Sequence, residues 1–342
     1  MSEPHHSQNS EESGHLHYIV TEDLCPLIHH WAEKKGFIAP NPNWFGRNHQ
    51  LLRTALDNVL NSGDRVVIVD SLPHRYITGT IHPFLNRLLG REIEFRSIIS
   101  IDNSYLPENN FDTLSLEITR GVDAYGNDLG KIARPYCLSV QDQIEAFRKE
   151  RSGINNDVVV VDDGIWTGGT IKMAIDALRY RGFNVVKVVV GVHIKNRGKV
   201  INLGIPVNHL FSVQTYEDDN RPVLDWLCER DFFPGVPFGG RTVIDKELQS
   251  FFFPEDRKTI GAFYPENKTW LKDWASINDS MNSFAAFCFS RSIALFEEIE
   301  LLSGKKVLVR DLDRIPLFMA QQRPNSLESV VKIIKKKLEV IN

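Results

Sequence analysis

Apolar residues recur at helical spacing at Leu51, Leu52, Ala55, Leu56, Val59 and Leu60, and the pattern stops at Asn61-Ser62-Gly63, which predicts a helix end. Arg65 to Asp70 (RVVIVD) is a short β-branched run, and Thr78 to Leu89 has helical character up to Gly90, so the order there is strand, loop, helix. Glu92 to Ser100 (EIEFRSIIS) predicts a second strand. A long polar stretch follows, with Asn103, Pro107, Asn109, Asn110, Gly121, Gly126 and Gly130, and residues 113 to 119 within it predict one arm of an excursion hairpin. Loops this long inside a compact domain are usually functional lids or disordered.

The most legible segment runs from Asp157 to Ile194. VVVVDD predicts a buried strand ending in two acids, GIWTGGT a turn, IKMAIDALRYRG a helix with a glycine stop, and NVVKVVVGVHI another strand. This is a βαβ unit, and continuous apolar strands of this kind imply a parallel sheet covered on both faces. Pro206 to Val213 predicts a further strand. Beyond Thr215 the character changes, with Trp226, Phe232, Phe233, Trp270, Trp274, Phe284, Phe287 and Phe289 among mixed helical patterns. Near the C-terminus, Leu327, Val330, Val331, Ile334 and Leu338 form the apolar face of a docking helix whose lysines, Lys332 and Lys335 to Lys337, lie largely elsewhere and read as a solvated face.

Four divisions follow: a disordered tail at 1–14, an N-terminal helical segment at 15–62, an α/β core with a parallel twisted sheet flanked by helices at 63–215, and an enlarged, mostly helical region at 216–342. The 342 residues bury a proper core without staples, and the cysteines (Cys25, Cys137, Cys228, Cys288) contain no CxxC pair, so neither a disulfide framework nor a cysteine zinc site is expected. The tail MSEPHHSQNSEESGHLH lacks an apolar core for a signal peptide, and no run of about 18 apolar residues occurs, which points to a cytoplasmic protein without a membrane span. Forty basic residues against 44 acids give a net charge of −4, which does not indicate a chain-wide grip on nucleic acid and leaves a local basic patch open. Val307 to Asp313 (VLVRDLD) superficially resembles a strand ending in a DxD pair, but the rest of that phosphatase chemistry is missing and the segment reads as structural.

Chemistry concentrates at the end of the 157–165 strand. Asp162 and Asp163 stand where α/β folds bind ligands, and Thr167-Gly168-Gly169-Thr170 opens a helix whose unpaired N–H groups and positive dipole end favour an anion. Two glycines let the backbone curl around it, and two threonine hydroxyls add donors. An acid pair beside such a cradle suits sugar hydroxyls or a Mg²⁺ ion, so the combined ligand is a ribose 5-phosphate bearing a further anionic group. A Walker A loop or a GxGxxG turn would need other spacings.

The run VVVVDDGIWTGGT (158–170) resembles the phosphoribosyl-diphosphate (PRPP) signature of type I phosphoribosyltransferases, and the wider chain is similar over roughly residues 50 to 215. The resemblance implies an enzyme that binds PRPP with Mg²⁺ and transfers phosphoribosyl to a nucleobase or other nitrogen nucleophile, releasing pyrophosphate. Asp162 and Asp163 would hold the ribose hydroxyls or metal, and Thr167, Gly168, Gly169 and Thr170 the 5-phosphate. The family's pyrophosphate loop falls at Asp70 to Tyr76, where His74 and Arg75 would contact diphosphate. Its flexible loop falls at Ile101 to Arg134, with Lys131, Arg134 and Arg120 as basic contributors. Its variable hood corresponds in part to residues 225–243, where Phe232, Phe233 and Phe238 either line an aromatic slot beside Arg241 or pack into the core.

Trp166 stands where purine-specific members commonly carry an acid, and it either stacks on a base or blocks the site. With the extra residues after Thr215, it keeps a second reading open: a non-catalytic PRPP or nucleotide sensor that acts on a protein partner through the C-terminal region. The flanking sequence is more loosely similar to phosphoribosyltransferase-like effectors of bacterial conflict systems, including those accompanying retrons, which implies a role in antiviral defence.

Overall fold

A computed structural model of the protein describes residues 17–59, 65–69, 97–101, 113–122, 128–134, 137–150, 156–165, 167–196, 202–215, 225–237, 241–243, 248–250, 281–313, 315–319 and 325–341. The tail at 1–14, the helix expected at 78–89 and the first half of the strand expected at 92–100 lie outside the described residues.

Five strands form an all-parallel sheet in the order β4-β3-β7-β8-β9: β3 is Ser97–Ser100, β4 Thr113–Ser115, β7 Asp157–Ile165, β8 Asn184–Asn196 and β9 Val207–Thr215. Successive side chains of a strand point to opposite faces, and Val158 to Val161 are all buried, so β7 is covered on both sides. On one face Val158 and Val160 pack with Ile144 and Phe147 of α3 (Val140–Glu150) and with Ile171, Ala174, Ile175 and Leu178 of α4 (Gly169–Tyr180). Thr113–Ser115 is thus a parallel edge strand and not a hairpin arm. The hairpin is formed by β5 (Ile118–Val122) and β6 (Asp128–Ala133), and it is anchored in a mixed sheet with order β13-β12-β11-β5-β6, in which β11 is Arg241–Val243, β12 Leu248–Ser250 and β13 Ile315–Pro316.

The run at Arg65–Val69 (β2) is a strand, but it stays out of the five-stranded sheet. It pairs in parallel with β1 (His17–Thr21), whose other edge takes β10 (Asp225–Cys228). Alternating or apolar pattern identifies a strand without identifying its partner, and here five consecutive register pairs, His17↔Arg65 to Thr21↔Val69, join chain segments on both sides of residue 63.

The two ends of the chain build one helical unit. α1 (Leu24–Lys35), α2 (Pro42–Val59), α5 (Met281–Ser303) and α6 (Val330–Ile341) share a core that includes Ile28, Trp31, Phe45, Leu52, Phe289, Phe296 and Ile334. α2 begins well before the periodic residues at 51–60, because Asn41 accepts the Trp44 N–H at 3.1 Å and Pro42 occupies the first turn, where its missing N–H costs nothing. Trp31 donates its indole N–H to the Asp311 carbonyl at 3.1 Å, tying α1 to the segment at 307–313, which holds the 3-10 turn Val309–Asp311 where a strand was expected. Phe232 and Phe233 are 1% and 2% exposed within this core, so they pack it instead of lining a slot. Phe238 and the side chain of Arg241 lie outside the described residues. α6 docks through Val330, Val331 and Ile334, with Leu338 partly buried; Leu327 is exposed, and Lys335 pairs with Glu297 at 2.6 Å. Among the described residues no helix is long and apolar enough to cross a membrane.

A polar cluster is buried where α2 meets β1 and β10. His49 Nε2 lies 2.9 Å from Glu22 Oε1, and His49 Nδ1 lies 3.3 Å from Glu229 Oε1. Burial pushes the Glu229 carboxyl well above the ordinary carboxylate range, and the nearby Asp23 and Glu22 push it further.

Two stability experiments follow from this packing. Gly235 has φ +99°, and a Cβ there would stand 2.8 Å from Ile334 Cδ1, so Gly235→Ala is expected to lower stability by ~2 kcal/mol or more. Gly46, inside α2 with nothing within 4 Å of its Cβ position, is the control; Gly46→Ala is expected to raise stability by about 0.5–1 kcal/mol, and thermal unfolding reads both. Because the folded pKa of Glu229 is raised, its contribution is fully present below the unfolded value and falls as pH rises from there through the folded value. Glu229→Gln is therefore expected to remove a slope of roughly 1 kcal/mol per pH unit across that window, and denaturant midpoints at a series of pH values that run parallel to wild type would contradict it.

Candidate functional site

The two acids expected to end the strand lie just inside it: β7 runs on through Gly164 and the buried Ile165, whose pairing with Val192 and His193 of β8 extends the strand beyond the apolar run. Asp162 is still buried, 6% exposed, and its Oδ1 accepts the Asp163 N–H at 3.0 Å. Asp163 is half-buried, and its Oδ2 receives Arg230 Nη2 at 3.1 Å. Trp166 lies outside the described residues. Thr167 is exposed and Gly168 is buried with φ +82°, a left-handed conformation that glycine adopts without the steric cost of a side chain. That turn leads directly into α4, whose first turn holds no acid and whose cap residue makes no side-chain cap bond. The first N–H groups of the helix are therefore available to a ligand.

Lys131 comes to this turn from the hairpin. Its Nζ lies 3.5 Å from the point where a Cβ would stand on Gly169, with Thr167 Oγ1 at 3.7 Å. A cation at the positive end of a helix has the wrong sign for the macrodipole, and a bound anion reverses that cost. The ammonium, the threonine hydroxyl and the helix start converge on one small volume beside the acid pair.

The other basic candidates behave differently. Arg134 points into its own hairpin, pairing with Glu117 Oε2 at 3.2 Å and donating from Nε to the Ile118 carbonyl at 3.3 Å. Arg120 is in register with Lys131, and its side chain lies outside the described residues. His74 and Arg75 also lie outside them.

Two residues that sequence pattern did not single out complete the wall. Arg230 follows β10, and its Nε approaches Asp23 Oδ2 to 3.2 Å, an ion contact and not a linear hydrogen bond, while its backbone N–H donates to Asp23 Oδ1 at 3.0 Å. Asp23 is 1% exposed at the start of α1. Arg230 is 67 residues from Asp163 and 207 from Asp23, so no local spacing could have joined them. The parallel pairing of β1 with β10, Thr21↔Cys228, brings the residues just beyond both strands together.

Mg²⁺ prefers oxygen ligands, keeps several waters and is usually held by one or two carboxylates together with substrate phosphates. Asp162 and Asp163 fit that donor type, and among the described residues no group of three or more His, Cys, Asp or Glu is arranged to hold a metal by itself. The residues suit an ion that enters with a phosphorylated ligand.

Comparison with known proteins agrees with this geometry over a defined part of the chain. Residues 107–218 match the family described as phosphoribosyl transferase domain, about a third of the length, and a narrower span than the expected similarity from 50 to 215. An orotate phosphoribosyltransferase of Desulforamulus reducens is 36% identical over 88 residues, which cover 25% of this chain and 42% of that protein, so the chain spans well under half of the relative. No solved structure matches the chain significantly. Four of the five parallel strands, β4, β7, β8 and β9, and the acid-pair turn lie inside the matched span, so the likeness to a phosphoribosyl transferase domain falls on the part of the chain that carries the site.

Proposed function

We propose that the protein binds Mg²⁺-PRPP at the carboxyl edge of the parallel sheet and transfers its phosphoribosyl group to a nitrogen nucleophile. The observation that carries this reading is the convergence of the Lys131 ammonium and the Gly168 helix start beside the Asp162-Asp163 pair. Thr167 to Thr170 receive the 5-phosphate, the acids take the ribose hydroxyls, and Lys131 neutralises phosphate charge. In the transfer, the nitrogen lone pair forms a bond to ribose C1′ while the bond from C1′ to the diphosphate oxygen breaks, pyrophosphate leaves with that electron pair, and the proton of the nucleophile passes to solvent. Mg²⁺, when bound, neutralises the departing diphosphate. No covalent enzyme intermediate is needed; fixed donors and exclusion of water around an oxocarbenium-like sugar supply the rate.

The acceptor class is a nucleobase or a similar nitrogen compound, and orotate enters the panel because the relative from Desulforamulus reducens carries that name. The role as an effector of antiviral defence rests on the looser sequence resemblance. A second reading, a PRPP or nucleotide sensor without turnover, is favoured by one observation: Asp163 is bonded to Arg230, a residue beyond the matched domain, so occupancy of the acid pair is felt outside that domain.

Calorimetric titration of Mg²⁺-PRPP is expected to show binding to wild type and loss of it in a folded Asp162→Asn/Asp163→Asn variant; absence of binding to the wild type would overturn the assignment. Lys131→Ala is expected to weaken PRPP about tenfold or more, since a hydrogen bond to a charged group contributes about 1.5–3 kcal/mol. Pyrophosphate release with a panel of bases including orotate then separates enzyme from sensor, which would bind without release.

A further inference from the structure

Arg230 and Asp23 lie at the meeting of three elements, and their geometry has the features of a support for the acid pair. Arg230 belongs to the 3-10 turn Glu229–Phe232 that follows β10, and Phe232 and Phe233 anchor that turn in the core of the helical unit. Asp23 precedes α1, and its carbonyl accepts the Leu27 N–H at 3.3 Å, so its backbone is fixed by the first turn of that helix. The guanidinium therefore rests on a rigid base: one carboxylate oxygen of Asp23 meets Nε at 3.2 Å and the other holds the Arg230 backbone N–H at 3.0 Å. From that base Nη2 reaches Asp163 Oδ2 at 3.1 Å.

We propose that Arg230, seated on Asp23, is the positioning residue that sets the direction of the Asp163 carboxylate for the ribose of the ligand, so that the helical unit completes the ribose subsite. This rests on the PRPP reading above. Sugar hydroxyls give up directional hydrogen bonds, and an acceptor displaced by about 1 Å can cost 100-fold in a site built on orientation. Arginine suits the task because its planar donors stand at fixed angles, which lysine cannot reproduce. The side chain of Arg230 is 12% exposed and that of Asp163 19%, so the contact sits at the rim of the sheet edge and faces the acid pair instead of bulk water. Neither Asp23 nor Arg230 lies within the matched span 107–218, so this support of Asp163 reaches it from outside that span.

The test uses the full chain and two ligands that differ in the sugar, Mg²⁺-PRPP and Mg²⁺-pyrophosphate, titrated into Arg230→Gln, Arg230→Lys and Asp23→Asn, each checked for folding by circular dichroism. Arg230→Gln is expected to weaken PRPP about tenfold or more while changing pyrophosphate affinity less than about twofold. Arg230→Lys is expected to restore part of the loss, and Asp23→Asn, which keeps the arginine but loosens its seat, to produce a smaller loss with the same ligand selectivity. In an Asp163→Asn background, Arg230→Gln is expected to add little, because both changes act through one carboxylate. A folded Arg230→Gln protein that binds PRPP like wild type, equal losses for both ligands, or additive losses with Asp163→Asn would each overturn the proposal. If Arg230→Gln does not fold, Asp23→Asn with unchanged PRPP affinity overturns it. Failure of the wild type itself to bind PRPP overturns the underlying reading, and is told apart because it precedes any variant.

Discussion

A strand with apolar side chains on both faces has to be covered on both sides, and the structure is organised around that requirement in β7. Val158 to Val161 draw α3, α4 and the neighbouring parallel strands around them. Towards its carboxyl end the strand carries two carboxylates in place of valines, and each is given a polar partner there: Asp162 accepts the Asp163 N–H and Asp163 accepts from Arg230, before Gly164 and Ile165 complete the strand. The change from valine to aspartate thus sets a polar pair inside the strand, while Ile165 just beyond it returns to the core.

The helical unit is assembled from opposite ends of the chain, with α1 and α2 packed on α5 and α6, and β1 lying between β2 and β10. α5 is apolar around most of its circumference and is buried as such a helix must be. Its fixed position carries the 3-10 turn of Glu229–Phe232, and with it Arg230, to the acid pair. The junction also buries Glu22, Asp23, His49 and Glu229, where the geometry of each contact decides whether charge is stabilised or suppressed.

The hairpin of β5 and β6 is held in the mixed sheet, where β5 is joined in parallel to β11. The Lys131 ammonium comes close to Gly169 at the turn, while Arg134 is engaged by Glu117 at the base of the hairpin. Three residues separate the two side chains in sequence, yet their surroundings give them different uses. Charge type alone could not distinguish them, because the neighbours that decide the matter come from different elements.

Much of the fold was legible where the physics is local. The Asp157 to Ile194 unit, the acid pair and the Thr167 to Thr170 turn follow from apolar runs, glycine geometry and helix-terminal N–H groups, which act within a few residues. The start of α2 is signalled by Asn41-Pro42, a cue of two residues that is weaker than the periodicity after Leu51. Periodicity recognised Arg65–Val69 as a strand but could not say that its neighbour is His17–Thr21, and recognised Phe232 and Phe233 as large apolar groups without saying which core they fill. The sequence by itself determined the βαβ unit of Asp157 to Ile194 and the turn at Thr167 to Thr170. Only the tertiary structure decided that Arg230 and Asp23 stand behind Asp163, because pairing between residues 67 and 207 positions apart depends on burial and strand order that no local pattern encodes.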